Sequence, residues 1–174
     1  MAIILGIDPG SRVTGYGIIQ ASPNQKHSYL ASGYISIDKE TLGGKLKNIH
    51  TTLTELIHAY QPVEAAFEQV FVYENAGTAL KLGQARGAAI AAAAVHDISI
   101  HEYTARQVKK SVVGTGAAQK EQVQHMVKLL LHLPALPQVD EADALAIALC
   151  HAYTRQGLLG LGVGALNIRR GRLR

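Results

Sequence analysis

Ile3-Ile4-Leu5-Gly6-Ile7-Asp8-Pro9-Gly10-Ser11 is an apolar run that ends on a carboxylate. Ile3 to Ile7 reads as a buried strand, and the Pro9-Gly10 breaker stops it directly after Asp8. Residues at the carboxyl ends of strands in open α/β sheets line ligand crevices. A second apolar run, Val63 to Phe67, ends in the same way on Glu68, and Asp140 and Asp143 open a late apolar helix. Carboxylates dispersed in sequence, each tied to a rigid element, are what a divalent-metal site needs.

Working outward, Val13 to Gln20 and Tyr29 to Asp38 are β-prone segments punctuated by Ser22-Pro23-Asn24. Leu42, Leu46, Ile49, Leu53, Leu56 and Ile57 recur at helical spacing between Thr41 and Tyr60. Further helices are expected over Asn75 to Val95, Ala105 to Val113, Lys120 to Leu131 and Asp140 to about Arg155, with a short strand at Ile98 to Ile100. Three strands followed by alternating helices and strands predict an α/β fold, a mixed sheet with helices on both faces. The expected organisation is one domain over residues 1–156 and a flexible basic tail over 157–174.

A hydrophobic fraction of 48% suits a globular chain, and a charged fraction of 17% implies well-buried elements. With 17 Lys plus Arg against 13 Asp plus Glu, the net charge of +4 permits nucleic-acid binding without requiring it. The single cysteine, Cys150, lies in an apolar helix and reads as a small buried thiol. The N-terminus has no basic region before Ile3 and its apolar run breaks at Asp8, so neither a signal peptide nor a membrane span is expected. The expected compartment is the cytoplasm.

Each acidic residue has a plain structural account. Asp8-Pro9-Gly10 is a good turn sequence, a strand-end Glu68 commonly faces solvent, and Asp140 with Asp143 can cap a helix start. Spacing of three residues also puts Asp140 and Asp143 on one helix face. Four such carboxylates clustered without a partner would be costly, whereas they can hold two Mg²⁺ ions about 4 Å apart.

Arg12, Arg86, Arg106, Lys109, Lys110 and Lys120 are dispersed likewise, and together they can form a rim that neutralises phosphates. Surface solubility explains any one of them alone. The tail carries Arg169, Arg170, Arg172 and Arg174. Phe71, with Tyr73 and Asn75, lies between the second acidic strand and the long helix, where a loop aromatic can stack on or wedge between bases. Capping of the core is the competing account of Phe71. The Ala-rich stretch Ala85 to Ala94 suits close packing, either on the sheet or, through Gly87 and Ala91, across a subunit interface.

The ordered blocks Gly6-Ile7-Asp8-Pro9-Gly10-Ser11-Arg12, Thr14-Gly15-Tyr16-Gly17, Glu68-Gln69-Val70-Phe71, Ala79 to Gly87, Arg106-Gln107-Val108-Lys109 and Asp140 to Ala146 carry a specific resemblance. In them the chain resembles, over nearly its full length, the RuvC family of bacterial Holliday-junction resolvases. The resemblance implies a ribonuclease-H-like five-stranded sheet, a homodimer, and cleavage of four-way DNA junctions with Mg²⁺ or Mn²⁺. It places the acidic catalytic and metal positions on Asp8, Glu68, Asp140 and Asp143. Basic catalytic or junction-binding positions fall on Lys109 and Lys120, and the wedge aromatic on Phe71. It also implies the RuvA and RuvB branch-migration proteins as partners. Two residues depart from the pattern: Glu74 puts an acid in the Phe71 loop, and Phe67 stands where an aliphatic residue is usual.

Two other classes compete. Actin-like ATPases and sugar kinases also carry a strand ending in Gly-x-Asp-x-Gly, but they close two such domains on a nucleotide and 174 residues supply one. Gly114-x-Gly116 with Lys120 is not a phosphate-binding loop, because Glu121 stands at the Ser or Thr position. A non-catalytic junction-binding module would use the same basic residues and leave the acids as caps.

Overall fold

The fold follows from alternation along its central strand. In a computed structural model, which describes residues 1–23, 26–36, 41–70 and 76–160, β1 (Ala2–Asp8) pairs antiparallel with β2 (Val13–Ala21). β2 in turn pairs antiparallel with β3 (Ser28–Ser36). On its other edge β1 runs parallel to β4 (Glu64–Glu68), which runs parallel to β5 (Ser99–Tyr103). The order β3-β2-β1-β4-β5 makes one mixed five-stranded sheet. Successive residues of a strand face opposite sides. Leu5, Ile7, Ala65 and Phe67 therefore join one core with α1 (Leu42–Tyr60) and α2 (Ala76–Val95). Ile4 and Ala66 join the other, with α3 (Ala105–Val113), α4 (Lys120–Leu130) and α5 (Val139–Gly160). Helices thus cover both faces, as the pattern of elements predicts.

The two helical layers are built differently. On α2 the buried residues are Ala85, Ala89, Ala92 and Ala93, which lie close against the sheet and give the Ala-rich stretch its packing role. Gly83, Gly87, Ala91 and Ala94 point outward with Leu80. On the opposite face, Ala142 and Ala144 to Ala152 of α5 are buried almost without interruption. α3 and α4 cover that helix through Val108, Val112, Val123 and Val127.

Three boundaries differ from the sequence reading. β5 extends beyond Ile100 to Tyr103, because pairing with β4 through Phe67–Glu102 and Glu68–Tyr103 carries the ladder past the point where the apolar run stops. α5 starts at Val139, so Asp140 lies within the first turn and is not the N-cap; Gln138 supplies the carbonyl that Ala142 N–H meets at 2.8 Å. The same helix continues to Gly160, past the end expected near Arg155 and across the boundary expected after residue 156. Residues 71–75 and 161–174, which hold Phe71, Tyr73, Glu74, Asn75 and the tail arginines, lie outside the described residues.

Candidate active site

Strand parity brings the first two carboxylates together. Asp8 is two residues beyond Gly6 and four beyond Ile4, so it faces the α5 layer. Glu68, two beyond Ala66, faces the same way from the neighbouring parallel strand. Asp8 is paired with Gly15 at the end of β1, and Pro9 ends the strand. The Gln69 N–H donates to the Tyr103 carbonyl at 2.8 Å, which holds the backbone beside Glu68 in line with the sheet.

Glycines let α5 complete the set. Gly6 and Gly17 are cross-strand partners, as are Asp8 and Gly15. A Cβ on Gly6 would collide with the Ala144 carbonyl oxygen, and one on Gly15 with the Asp140 carbonyl oxygen. A Cβ on Gly17 would press on the Leu145 backbone and side chain. A glycine inside a strand marks such a close approach of another backbone. The start of α5 therefore lies directly on β1 and β2, which carries Asp140 and Asp143 to the strand ends. Sequence reading passes over this role of Gly6, Gly15 and Gly17, although glycine at alternate strand positions is the signal for it.

The result is a cleft of about 460 Å³ lined by Asp8, Glu68, Asp143, Lys109 and Lys120, with Pro9, Gln69, Val70, Leu82, Ala105, Val108 and Val123 as the remaining wall. Burial pushes the Asp8 carboxyl up to about 7, and the negative charges of Glu68, Asp143 and Asp140 push in the same direction. Glu68 and Asp143 are also raised, each by burial first. Asp140 acts on both Asp8 and Asp143 electrostatically, although it does not line the cleft wall. Opposing them, Lys120 lowers all three groups and Lys109 lowers Glu68 and Asp143.

Lys120 is the first residue of α4, where a cation meets the unfavourable positive end of the helix. Its Nζ lies 3.7 Å from Asp143 Oδ2 and its side chain is 66% exposed. An exposed pair of that kind adds little to stability. Its placement is accounted for by charge delivered to the cleft. Lys109 is half-buried on α3, whose start is fixed by a reciprocal Thr104–Gln107 capping box.

The other basic residues are not brought into the cleft wall. Arg12 and Lys110 are exposed, and Arg86 is ion-paired with Glu102 of β5. The sequence reading does not include that partner, which engages one Arg86 nitrogen, Nη2.

The donors in the cleft are carboxylates and one amide, with neither sulfur nor imidazole among the described lining residues. Such a set suits a hard divalent cation, and mutual repulsion among half-buried carboxylates is what a cation relieves. The tightest grouping of histidine and carboxylate ligands among the described residues lies elsewhere, at Glu64, His101 and His151, so the cleft carboxylates are the more open of the two sets.

Fold and cleft together define a ribonuclease-H-like protein with a carboxylate-lined cleft faced by two lysines. The family model described as crossover junction endodeoxyribonuclease RuvC matches residues 4–151. A protein of that name from Shewanella is 56% identical over 174 residues, and one from Vibrio vulnificus 55% identical over 175, each match covering the whole of both chains. The solved structure of Thermus thermophilus RuvC in complex with Holliday junction substrate is 34% identical, with a TM-score of 0.84 over 90% of this chain and 97% of that one. The chain belongs to the RuvC family of crossover junction endodeoxyribonucleases. Membership implies dependence on a divalent metal. Among the described residues no helix is long and apolar enough to cross a membrane.

Proposed function

We propose that this chain is a structure-selective endonuclease that resolves four-way DNA junctions by paired, symmetric nicks in recombination and repair. The observation that carries the reading is the convergence of Asp8, Glu68 and Asp143 with Lys109 and Lys120 in one cleft. Asp8, Glu68, Asp140 and Asp143 are the residues that would hold two Mg²⁺ ions, with Mn²⁺ as a substitute. Bound there, such ions would supply Lewis-acid charge to activate a water and to stabilise the leaving 3′-oxygen, the chemistry that leaves 5′-phosphate and 3′-hydroxyl ends. Asp8 would be the central ligand, because it ends the strand that lies between Glu68 on β4 and the β2 glycine on which the start of α5 rests. Lys109 and Lys120 offset charge on the phosphate under attack, from the mouth of the same cleft. Arg12, Lys110 and Arg86 extend phosphate contact outward. Phe71 serves as the wedge at the junction, with Tyr73 and Asn75, two and four residues further along the sequence, contacting the DNA.

Matching cuts in two like strands need two identical sites related by a two-fold axis, so the active unit is a homodimer. The outward stripe of α2, with Leu80, Gly83, Gly87, Ala91 and Ala94 exposed, is the surface that suits it. The RuvA and RuvB branch-migration proteins are the partners, and the cytoplasm the compartment, that go with this reading.

Strand-specific labelling of a four-way junction and of linear duplex, each with and without Mg²⁺, tests the proposal. Symmetric Mg²⁺-dependent nicks in the junction, with linear duplex spared, are expected. Equal and unpaired cutting of linear duplex would make the protein a general nuclease. Junction binding with no cleavage under any divalent metal would make it a binding module.

A further inference from the structure

β4 carries a carboxylate at each end of the same face. Glu68 belongs to the cleft, whereas Glu64 lies four residues back, about 13 Å along the strand, with buried Ala66 between them. α5 spans the same distance: His151 is eight residues, about 12 Å, beyond Asp143. The helix that delivers Asp140 and Asp143 to one end of the sheet therefore delivers His151 to the other. There His151 meets Glu64, with Nε2 3.0 Å from Oε2, and stacks on His101 of β5 with ring centroids 4.2 Å apart.

We propose that Glu64, His101 and His151 form a second metal site, for a borderline transition ion of the Zn²⁺ class, which clamps β4, β5 and α5 together at the end of the sheet opposite the catalytic cleft. One ligand atom from each residue lies within 4.8 Å of the other two. A common centre is thus no more than about 2.8 Å from each, and closing to the ~2.0–2.2 Å of zinc–nitrogen and zinc–oxygen bonds takes less than an ångström of side-chain movement.

The surroundings are those of a ligand set. The Tyr103 hydroxyl lies 2.7 Å from His151 Nδ1. With a metal on Nε2, Nδ1–H would donate to that oxygen, the supporting bond that a metal-ligating histidine makes. His101 Nε2 is enclosed and makes no hydrogen bond. Arg155 Nε meets the other Glu64 carboxylate oxygen, Oε1, at 3.2 Å and leaves Oε2 for the ion. Two imidazoles and one carboxylate select Zn²⁺ or Co²⁺ over Mg²⁺, the reverse of the all-oxygen cleft.

The test uses the full chain, stripped with chelator and dialysed against Zn²⁺ or Co²⁺ in excess Mg²⁺, which occupies the cleft. Bound metal per chain and the visible absorption of Co²⁺ are the readouts, compared among wild type, His101→Phe and Glu64→Gln. One ion per wild-type chain is expected, with affinity at least about tenfold weaker in both variants. Mg²⁺-dependent junction cleavage, if the protein is a resolvase, should persist in both; if His101→Phe does not fold, the near-isosteric Glu64→Gln decides. Equal Zn²⁺ retention by all three proteins, or none by wild type, overturns the site. Absence of cleavage by wild type, with the Zn²⁺ difference intact, would count against the nuclease reading alone.

Discussion

The Asp140 carbonyl oxygen lies directly over Gly15, in the space that a side chain at position 15 would fill. Gly15 is the cross-strand partner of Asp8, so the depth at which α5 sits on the sheet and the spacing between Asp8 and the α5 carboxylates are one variable.

Gly15→Ala is accordingly expected to lift the start of α5. Overpacking against backbone costs about 1–3 kcal/mol, and the single-turnover cleavage rate should fall with little loss of junction affinity. Gly43→Ala on α1 is the control, because nothing lies within 4 Å of its Cβ position; it should be neutral or stabilise by up to ~1 kcal/mol. Thermal melts and cleavage rates of the two variants check the contrast, and an unaltered rate in Gly15→Ala would separate helix depth from catalysis.

Asp8 makes the metal-free protein sensitive to pH. Its carboxyl is raised from 3.8 to about 7, so the folded state binds the proton more tightly than the unfolded chain. The associated stability is present in acid and is lost as pH rises from about 4 through about 7, an amount of order 2–4 kcal/mol. Asp8→Asn should remove most of that loss and abolish cleavage, because an amide is a poor ligand for a hard cation. Melting temperatures at pH 5 and pH 8, with chelator and then with Mg²⁺, provide the check. Mg²⁺ should stabilise wild type more at pH 8 than at pH 5, and the variant only weakly at either. A full-activity Asp8→Asn protein would falsify the site.

Lys120 lowers the pKa values of Asp8, Glu68 and Asp143 together. In Lys120→Ala all three rise, fewer are ionised at a given pH, and the acid limb of the pH–rate profile moves to higher pH. Turnover should also fall roughly 100-fold from the lost charge at the phosphate. A profile that keeps its shape while only the amplitude drops would mean that Lys120 touches DNA without acting on the carboxylates.

Leu80 is 64% exposed on the outward stripe of α2. Leu80→Glu should leave the monomer folded, since the residue contributes nothing to either core, and weaken dimerisation at least about tenfold by burying an unpaired charge. Sedimentation across a concentration series measures it. An unchanged dimer would move the interface to another surface.

Much of the sheet and of the site was legible along the chain. Asp8 follows Gly6 by two residues and Glu68 follows Ala66 by two, and period-two alternation then puts both carboxylates on one face once the two strands are parallel neighbours. Helical spacing from Leu42 to Ile57 and the Ala-rich run from Ala85 were equally direct, because a periodic apolar pattern is a local property. Element ends were less legible. The apolar run stops at Ile100, yet hydrogen bonds to β4 carry β5 on to Tyr103.

What the sequence by itself determined is therefore which residue types stand at which strand and helix positions, and with the family resemblance which of them are the candidates for the chemistry. Tertiary structure decided the rest. Gly6, Gly15 and Gly17 read locally as weak strand residues, and only the arrival of α5 more than a hundred residues later shows that the missing Cβ atoms make room for its backbone. Arg86 reads as a free cation until β5 places Glu102 beside it. Glu64, His101 and His151 share no motif and no spacing, and they meet because a parallel strand pair and an overlying helix bring them to the same depth. Strand alternation and helical period act over a few residues and can be read from order alone, whereas the approach of one backbone to another depends on the packing of the whole layer.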